Sequence, residues 1–237
     1  MTQHTEKELI VIDNVEPCPY LPNQMARMPL RVVLGKMTPT LTDVYLGAGY
    51  RRSGEFVYRT QCPSCQACEA IRLAPENFQL SRSMLRTLRR GDSRYVERIG
   101  PLIADQERVN LFNRHRQQRG LASNERDIDL EDYHWGFVRS CFGTFEIAWY
   151  HESRLVAVAI CDQGLKTMSA VYTYYDPDIR GDSLGTYAIL RQLDVCRQKR
   201  LDWLYLGYYV AECEHMNYKK RFLPHERLLE GKWQKFE

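Results

Sequence analysis

The chain has 237 residues, 44% hydrophobic and 27% charged, with 14 Gly and 10 Pro; this is the make-up of a folded protein and excludes collagen-like, low-complexity and disordered chains. Lys and Arg number 33 against 30 Asp and Glu, and a net charge of +3, taken as an average, argues against a strong polyanion binder. The longest uninterrupted apolar run, Leu155 to Cys161, has seven residues, where a membrane-spanning helix needs about 20.

Met1 to Leu9 carries Glu6, Lys7 and Glu8 and no apolar core of a secretory signal, so a cytoplasmic location with no membrane partner is expected. The eight cysteines should there be reduced. Pro17, Pro19, Pro22, Pro29 and Pro39, with four glycines between 35 and 54, speak against long regular elements in the first 60 residues. Cys62, Cys65 and Cys68 form a Cys-x-x-Cys-x-x-Cys run, and with Cys18 they meet the count of a four-thiolate site for zinc or an iron–sulfur centre. The run lacks the second, separated Cys-x-x-Cys pair of a zinc ribbon, so plain thiols are the competing reading. Cys141, Cys161, Cys196 and Cys213 lie singly among apolar neighbours and read as buried structural residues.

From Ser81 the texture changes. Arg82, Arg86, Arg90, Arg94 and Arg98 recur every four residues, and the window from Arg72 to Arg98 carries +4 by itself, leaving the rest of the chain at −1. The pattern predicts a helix over 81–90, capped by Ser81 and ended by Gly91 and Asp92, with Arg82, Arg86 and Arg90 on one face. Such a face is either solvated or a row of phosphate contacts.

Thr144 to His151, Arg154 to Asp162 and Met168 to Tyr175 are rich in β-branched and aromatic residues, and Glu152-Ser153 splits the first two as a hairpin requires. Asp182 to Arg200 keeps a helical period, Trp203 to Tyr209 reads as a strand, Ala211 to Arg221 as a short helix and Leu228 to Phe236 as a last strand. That order is the one found in GNAT (acyl-CoA N-acyltransferase-type) cores. The expected fold class is therefore α+β, with a cysteine-containing, basic N-terminal domain over 1–98 and a GNAT-like domain over 99–237.

Several segments together resemble the aminoacyl-tRNA–protein transferases. They are Ser169 to Pro177 (SAVYTYYDP), Ser183 to Ala188 (SLGTYA), Tyr205 to Tyr209 (YLGYY), Met216 to Lys219 (MNYK) and Phe222 to Pro224 (FLP). Arg51 to Gly54, Tyr58-Arg59, the cysteine run ending in Ile71-Arg72, and Ser81 to Ser83 continue the likeness in the first half. The Cys-Pro-Tyr-Leu-Pro segment at 18–22 and the short length resemble the bacterial leucyltransferase subfamily. Leu21 stands where the longer arginyl-transferring relatives have a second cysteine, so a cluster of their type would need Cys62 or Cys68 in its place.

The resemblance implies transfer of leucine from leucyl-tRNA to the N-terminal amine of proteins that begin with Asp or Glu, marking them for N-degron proteolysis. The ester is already activated and the nucleophile is the acceptor's amine, so positioning carries most of the rate and no cofactor is required. Arg72, Arg82 and Lys219, in the family's basic motifs, are the candidates for the acceptor's carboxylate. Tyr172 and Tyr174, on one face of their strand, could hold the peptide, and Asp176 could bind the amine or take its proton. A coenzyme A site would want a glycine where Ser183 stands; with Gly185, this amide-rich helix start suits the terminal phosphates of tRNA. Arginyl transfer, a coenzyme A-dependent N-acetyltransferase and a non-catalytic, metal-stabilised RNA-binding module are the alternatives.

Overall fold

A computed structural model describes residues 8–120 and 126–237, so the reading of the signal-free N-terminus lies, for residues 1–7, outside the described residues. As the prolines and glycines predict, the first 60 residues form only short elements: β1 (Glu8–Ile12), β2 (Val15–Pro17), β3 (Met25–Arg27), β4 (Leu30–Val33), helix α1 (Pro39–Gly47), β5 (Arg51–Ser53) and β6 (Phe56–Tyr58). Strands β1-β4-β6-β5 make a small sheet and β2-β3 a ribbon. Then follow β7 (Glu69–Leu73), α2 (Arg82–Arg94), β8 (Val96–Pro101), α3 (Gln106–Gln118), α4 (Leu130–Tyr133), β9 (Gly143–His151), β10 (Arg154–Gln163), β11 (Thr167–Tyr175), α5 (Leu184–Gln198), β12 (Trp203–Tyr209), α6 (Glu214–Asn217), β13 (His225–Leu229) and β14 (Lys232–Phe236). No helix of the described residues is long and apolar enough to cross a membrane.

The architecture is α+β, and the expected order of strands, helix, strand, helix and strand is present from β9 to β14. Eight strands in the order β14-β13-β7-β12-β11-β10-β9-β8 form one sheet with helices on both faces. Alternation along β10 explains the two layers: Ala157, Ala159 and Cys161 pack with α2 and α5, while Val158 and Ile160 pack with α3. β7 and α2 precede residue 98, yet they belong to this sheet and its helical layer.

The hairpin β9–β10 turns at Glu152, whose φ of +56° supplies the tight reversal, and pairs antiparallel as expected. Ser81 caps α2 by accepting from the Met84 amide at 3.2 Å. The helix does not stop at Gly91, as expected from the glycine, but runs through to Arg94. A Cβ at Gly91 would lie 2.2 Å from the Tyr187 ring, so this glycine permits close α2–α5 packing and is not a terminator. The final strand is likewise a hairpin, β13–β14, because Glu230 and Gly231 both adopt positive φ (50° and 76°). The short helix expected over 211–221 is two single turns, α6 and a 3₁₀ turn at Tyr218–Arg221.

Arg52 and Asp162, both buried, tie the small sheet to the large one. The Arg52 Nε lies 2.9 and 2.8 Å from the two carboxylate oxygens, and its Nη2 donates to the Phe137 carbonyl at 3.2 Å. Such a pair, once formed, costs about 3–5 kcal/mol to break from one side.

Candidate active site

Only β11 and β12 run parallel in the large sheet, and their pairing covers three residues, Thr167 with Trp203, Met168 with Leu204 and Ser169 with Tyr205. Beyond that point no pair joins them, and each strand carries an irregularity, at Val171 in β11 and at Leu206 in β12. The two strands splay, and the unpaired backbone between them is open to side chains from elsewhere.

Arg51, at the start of β5, enters the splay. Its Nη2 lies 3.4 and 3.2 Å from the carbonyls of Ala170 and Val171, and its guanidinium carbon sits 5.9 Å from the Tyr208 ring centroid. Gly207, at φ +86°, makes this approach feasible: a Cβ there would lie 1.9 Å from Arg51 Nη1. Lys219, 6% exposed, donates to the Tyr208 carbonyl at 2.5 Å. Burial, and then the charge of Arg51, bring its ammonium down to about 7.

Beside the splay, the first turns of α2 and α5 and the 3₁₀ turn after α6 enclose a cleft of about 240 Å³. Its lining is hydroxyl-rich, with Ser81, Ser83, Thr87, Ser183, Thr186 and Tyr218, and Arg221 lies at its wall. Ser183 holds the left-handed conformation (φ 53°, ψ 48°) at the N-cap of α5 and makes no side-chain cap, which leaves the first amides of the helix open. Asp182, just before it, is anchored by Arg94 (3.0 and 2.8 Å) and by the Tyr95 hydroxyl (2.5 Å), while Arg90 donates to the Gly181 carbonyl. Two of the regularly spaced arginines thus position the helix start. Arg82, Arg86 and Arg89 remain exposed and make no ion pair among the described residues.

The residues singled out from sequence divide accordingly. Ser183, Gly185 and Lys219 are brought to the splay and its cleft, and Arg82 begins the helix that borders them. Arg72 is not. In place of the substrate-facing role expected for it, its Nε and Nη2 bind Glu226 at 2.9 and 2.6 Å, its Nη1 donates to the Tyr205 hydroxyl at 3.2 Å, and Trp203 and Trp233 sandwich it at 3.6 and 4.0 Å. These contacts use the guanidinium to close the sheet between β12 and β13.

Tyr172 and Tyr174 do share a face, but it is the α3 face. Tyr174 is fully buried with its hydroxyl 2.6 Å from that of Tyr133, and both tyrosines pack on Phe112. Their neighbour Tyr175, on the opposite face, is the one at the site: a Cβ on Gly185 would come within 3.2 Å of its ring. Asp176 is 0% exposed, and its oxygens accept from Arg114 at 2.8 Å and Arg154 at 2.5 Å. In that setting the carboxylate pins the end of β11 to α3 and the β9–β10 hairpin, in place of the amine-binding or proton-accepting role expected for it.

Cys18, Cys62, Cys65 and Cys68 are half-buried and gather in one region, where burial and the neighbouring Cys62, Cys18 and Cys65 push the Cys68 thiol up to about 12. Among the described residues no three Cys, His, Asp or Glu side chains converge as a metal site. As placed, these thiols do not fit a bound zinc ion or cluster. Of the other four, Cys161, Cys196 and Cys213 are buried and Cys141 is half-buried, as structural cysteines are.

Two family models match the chain: arginine-tRNA-protein transferase, N terminus, over residues 16–86, and arginine-tRNA-protein transferase, C terminus, over residues 107–229. An aspartate/glutamate leucyltransferase of Vibrio cholerae serotype O1 is 35% identical over 239 residues, covering 98% of this chain and 99% of that one. The aspartate/glutamate leucyltransferase of Acinetobacter baylyi is 32% identical over 218 residues, covering 92% of this chain and 80% of that one. Among solved structures, L-PGS from Bacillus licheniformis aligns with a TM-score of 0.47 at 13% identity, over 78% of this chain and 66% of that one.

Proposed function

The chain belongs to the arginine-tRNA–protein transferase family, and from that premise we propose that it moves leucine from leucyl-tRNA onto the N-terminal amine of cytoplasmic proteins beginning with Asp or Glu, creating an N-degron. The observation that carries the leucyl reading is the 35% identity to a leucyltransferase over 98% of the chain. The geometry supports it in two places. The cleft at the start of α5 offers hydroxyls and open helix amides with Arg221 at its wall, and α2, which lines one side of it, also carries the exposed Arg82, Arg86 and Arg89, a combination that suits the phosphates and ribose of a tRNA end. The splay beside it carries the basic side chains of Arg51 and Lys219, which suits an acidic acceptor.

In the reaction the acceptor amine attacks the ester carbonyl carbon, the bond from that carbon to the ribose oxygen breaks, and an amide forms. One amine proton ends on the released ribose hydroxyl, so the step balances without an added reagent. What the protein must supply is alignment of the two substrates and donors near the carbonyl oxygen. The site offers the Tyr175 and Tyr218 hydroxyls and the α5 amides around the junction of cleft and splay.

The test is a matrix of leucyl-tRNA and arginyl-tRNA against peptides that differ only in their first residue. Transfer is expected from leucyl-tRNA to Asp and Glu peptides and not to an Ala peptide. Preferential use of arginyl-tRNA, or equal transfer to Ala, would overturn the reading.

A further inference from the structure

The partly or fully buried basic side chains of this protein are nearly all neutralised. Arg52 meets Asp162, Arg72 meets Glu226, Arg108 meets Glu146, Arg191 meets Glu97 and Arg227 meets Glu69. Arg51 and Lys219 break the pattern. Among the described residues neither has a carboxylate partner: Arg51 contacts two carbonyls and an aromatic face, and Lys219 a carbonyl and the Met216 sulfur at 3.5 Å. The Nε and Nη1 of Arg51 donate to nothing among the described residues.

A half-buried guanidinium without an anion, set against the ring of the residue whose carbonyl holds Lys219, is left with its charge uncompensated, an arrangement that suits a ligand bringing the missing charge. The rest of the guanidinium is held still by the Ala170 and Val171 carbonyls and by the gap that Gly207 leaves, so its free donors face a fixed direction. A rigid guanidinium with unused donors matches the two oxygens of a carboxylate.

We propose that Arg51, with Lys219 beside it, reads the side-chain carboxylate of the acceptor's first residue. The assignment rests on the transferase reading above and adds to it a role for a residue that the sequence named only as part of the family likeness. It also accounts for the commitment of Arg72 elsewhere. The carboxylate enters the splay from the open ends of β11 and β12, which brings the adjacent α-amine toward the α5 start where the aminoacyl end is held.

The experiment compares peptides beginning with Asp and with Asn as competitors of leucyl transfer to a labelled Asp peptide, for the full chain and its Arg51→Gln and Lys219→Gln variants. The Asp-over-Asn preference, measured within one preparation, does not depend on how much of it is folded. It is expected to fall by about 10- to 100-fold in Arg51→Gln, the loss of a charge-assisted pair, and by a smaller factor in Lys219→Gln. An unchanged preference in either variant overturns the assignment for that residue. Should Arg51→Gln fail to fold, Arg51→Lys, which keeps a cation but not the paired donors, is expected to lower the preference, and an unchanged preference there overturns it equally. The transferase reading is scored separately, by transfer from leucyl-tRNA to the Asp peptide in the unmodified chain.

Discussion

Replacing Gly207 by alanine is expected to disable the splay without substituting any charged residue. At φ +86° an alanine is in the left-handed region, which costs about 1–2 kcal/mol. The new Cβ would also sit 1.9 Å from Arg51 Nη1 and 2.7 Å from its Cζ, so the guanidinium must leave. Its bonds to the Ala170 and Val171 carbonyls then break, adding about 1–3 kcal/mol. The total, about 2–5 kcal/mol, corresponds to a drop in Tm on the order of 10 °C for a chain of this size. Gly231 supplies the control: its φ is +76°, yet nothing lies within 4 Å of an added Cβ, so Gly231→Ala carries the backbone cost alone. Thermal denaturation of both variants, with the Asp-over-Asn competition assay, separates strain from displacement. If Gly207→Ala matches Gly231→Ala in both Tm and acceptor preference, the reasoning that ties this glycine to Arg51 is refuted.

Two further outcomes follow from the site. Arg72→Ala should lower stability by about 2–4 kcal/mol through the lost Glu226 pair and the two indole faces. It should leave the Asp-over-Asn preference intact; a selective loss for acidic acceptors would return Arg72 to the substrate site. Replacing Arg82, Arg86 and Arg89 together by alanine should reduce the slope of log affinity for tRNA against log salt by about 2–3. An unaltered slope would mean that this face of α2 does not contact phosphate.

Much of the architecture is legible because it depends on neighbours in the chain. The period of α5, the Ser81 cap and the β9–β10 hairpin all follow from residues within a few positions of one another. The glycines mislead for the opposite reason. Gly91 looks like a helix end, and only the Tyr187 ring packed against it, nearly a hundred positions later, explains why it sits inside one. Similarly, alternation correctly puts Tyr172 and Tyr174 on one face, but not which face; α3, a polar helix with no sequence expectation attached, claims that one and leaves the Tyr175 ring beside Gly185 at the start of α5.

The motifs at 51–54, 169–177, 183–188 and 216–219 by themselves determine the family, since they are linear strings read in order, and with it the transferase chemistry. They also place a cation motif at each end of the chain. Which cation is free is decided in three dimensions. Arg72 is matched by Glu226, 154 residues away, and Arg52 by Asp162, 110 residues away, whereas Arg51, one position from Arg52, points off the other side of its strand into a gap without an acid. A strand alternates its side chains, so adjacent arginines meet different surroundings, and only the assembled sheet determines which of them is left uncompensated.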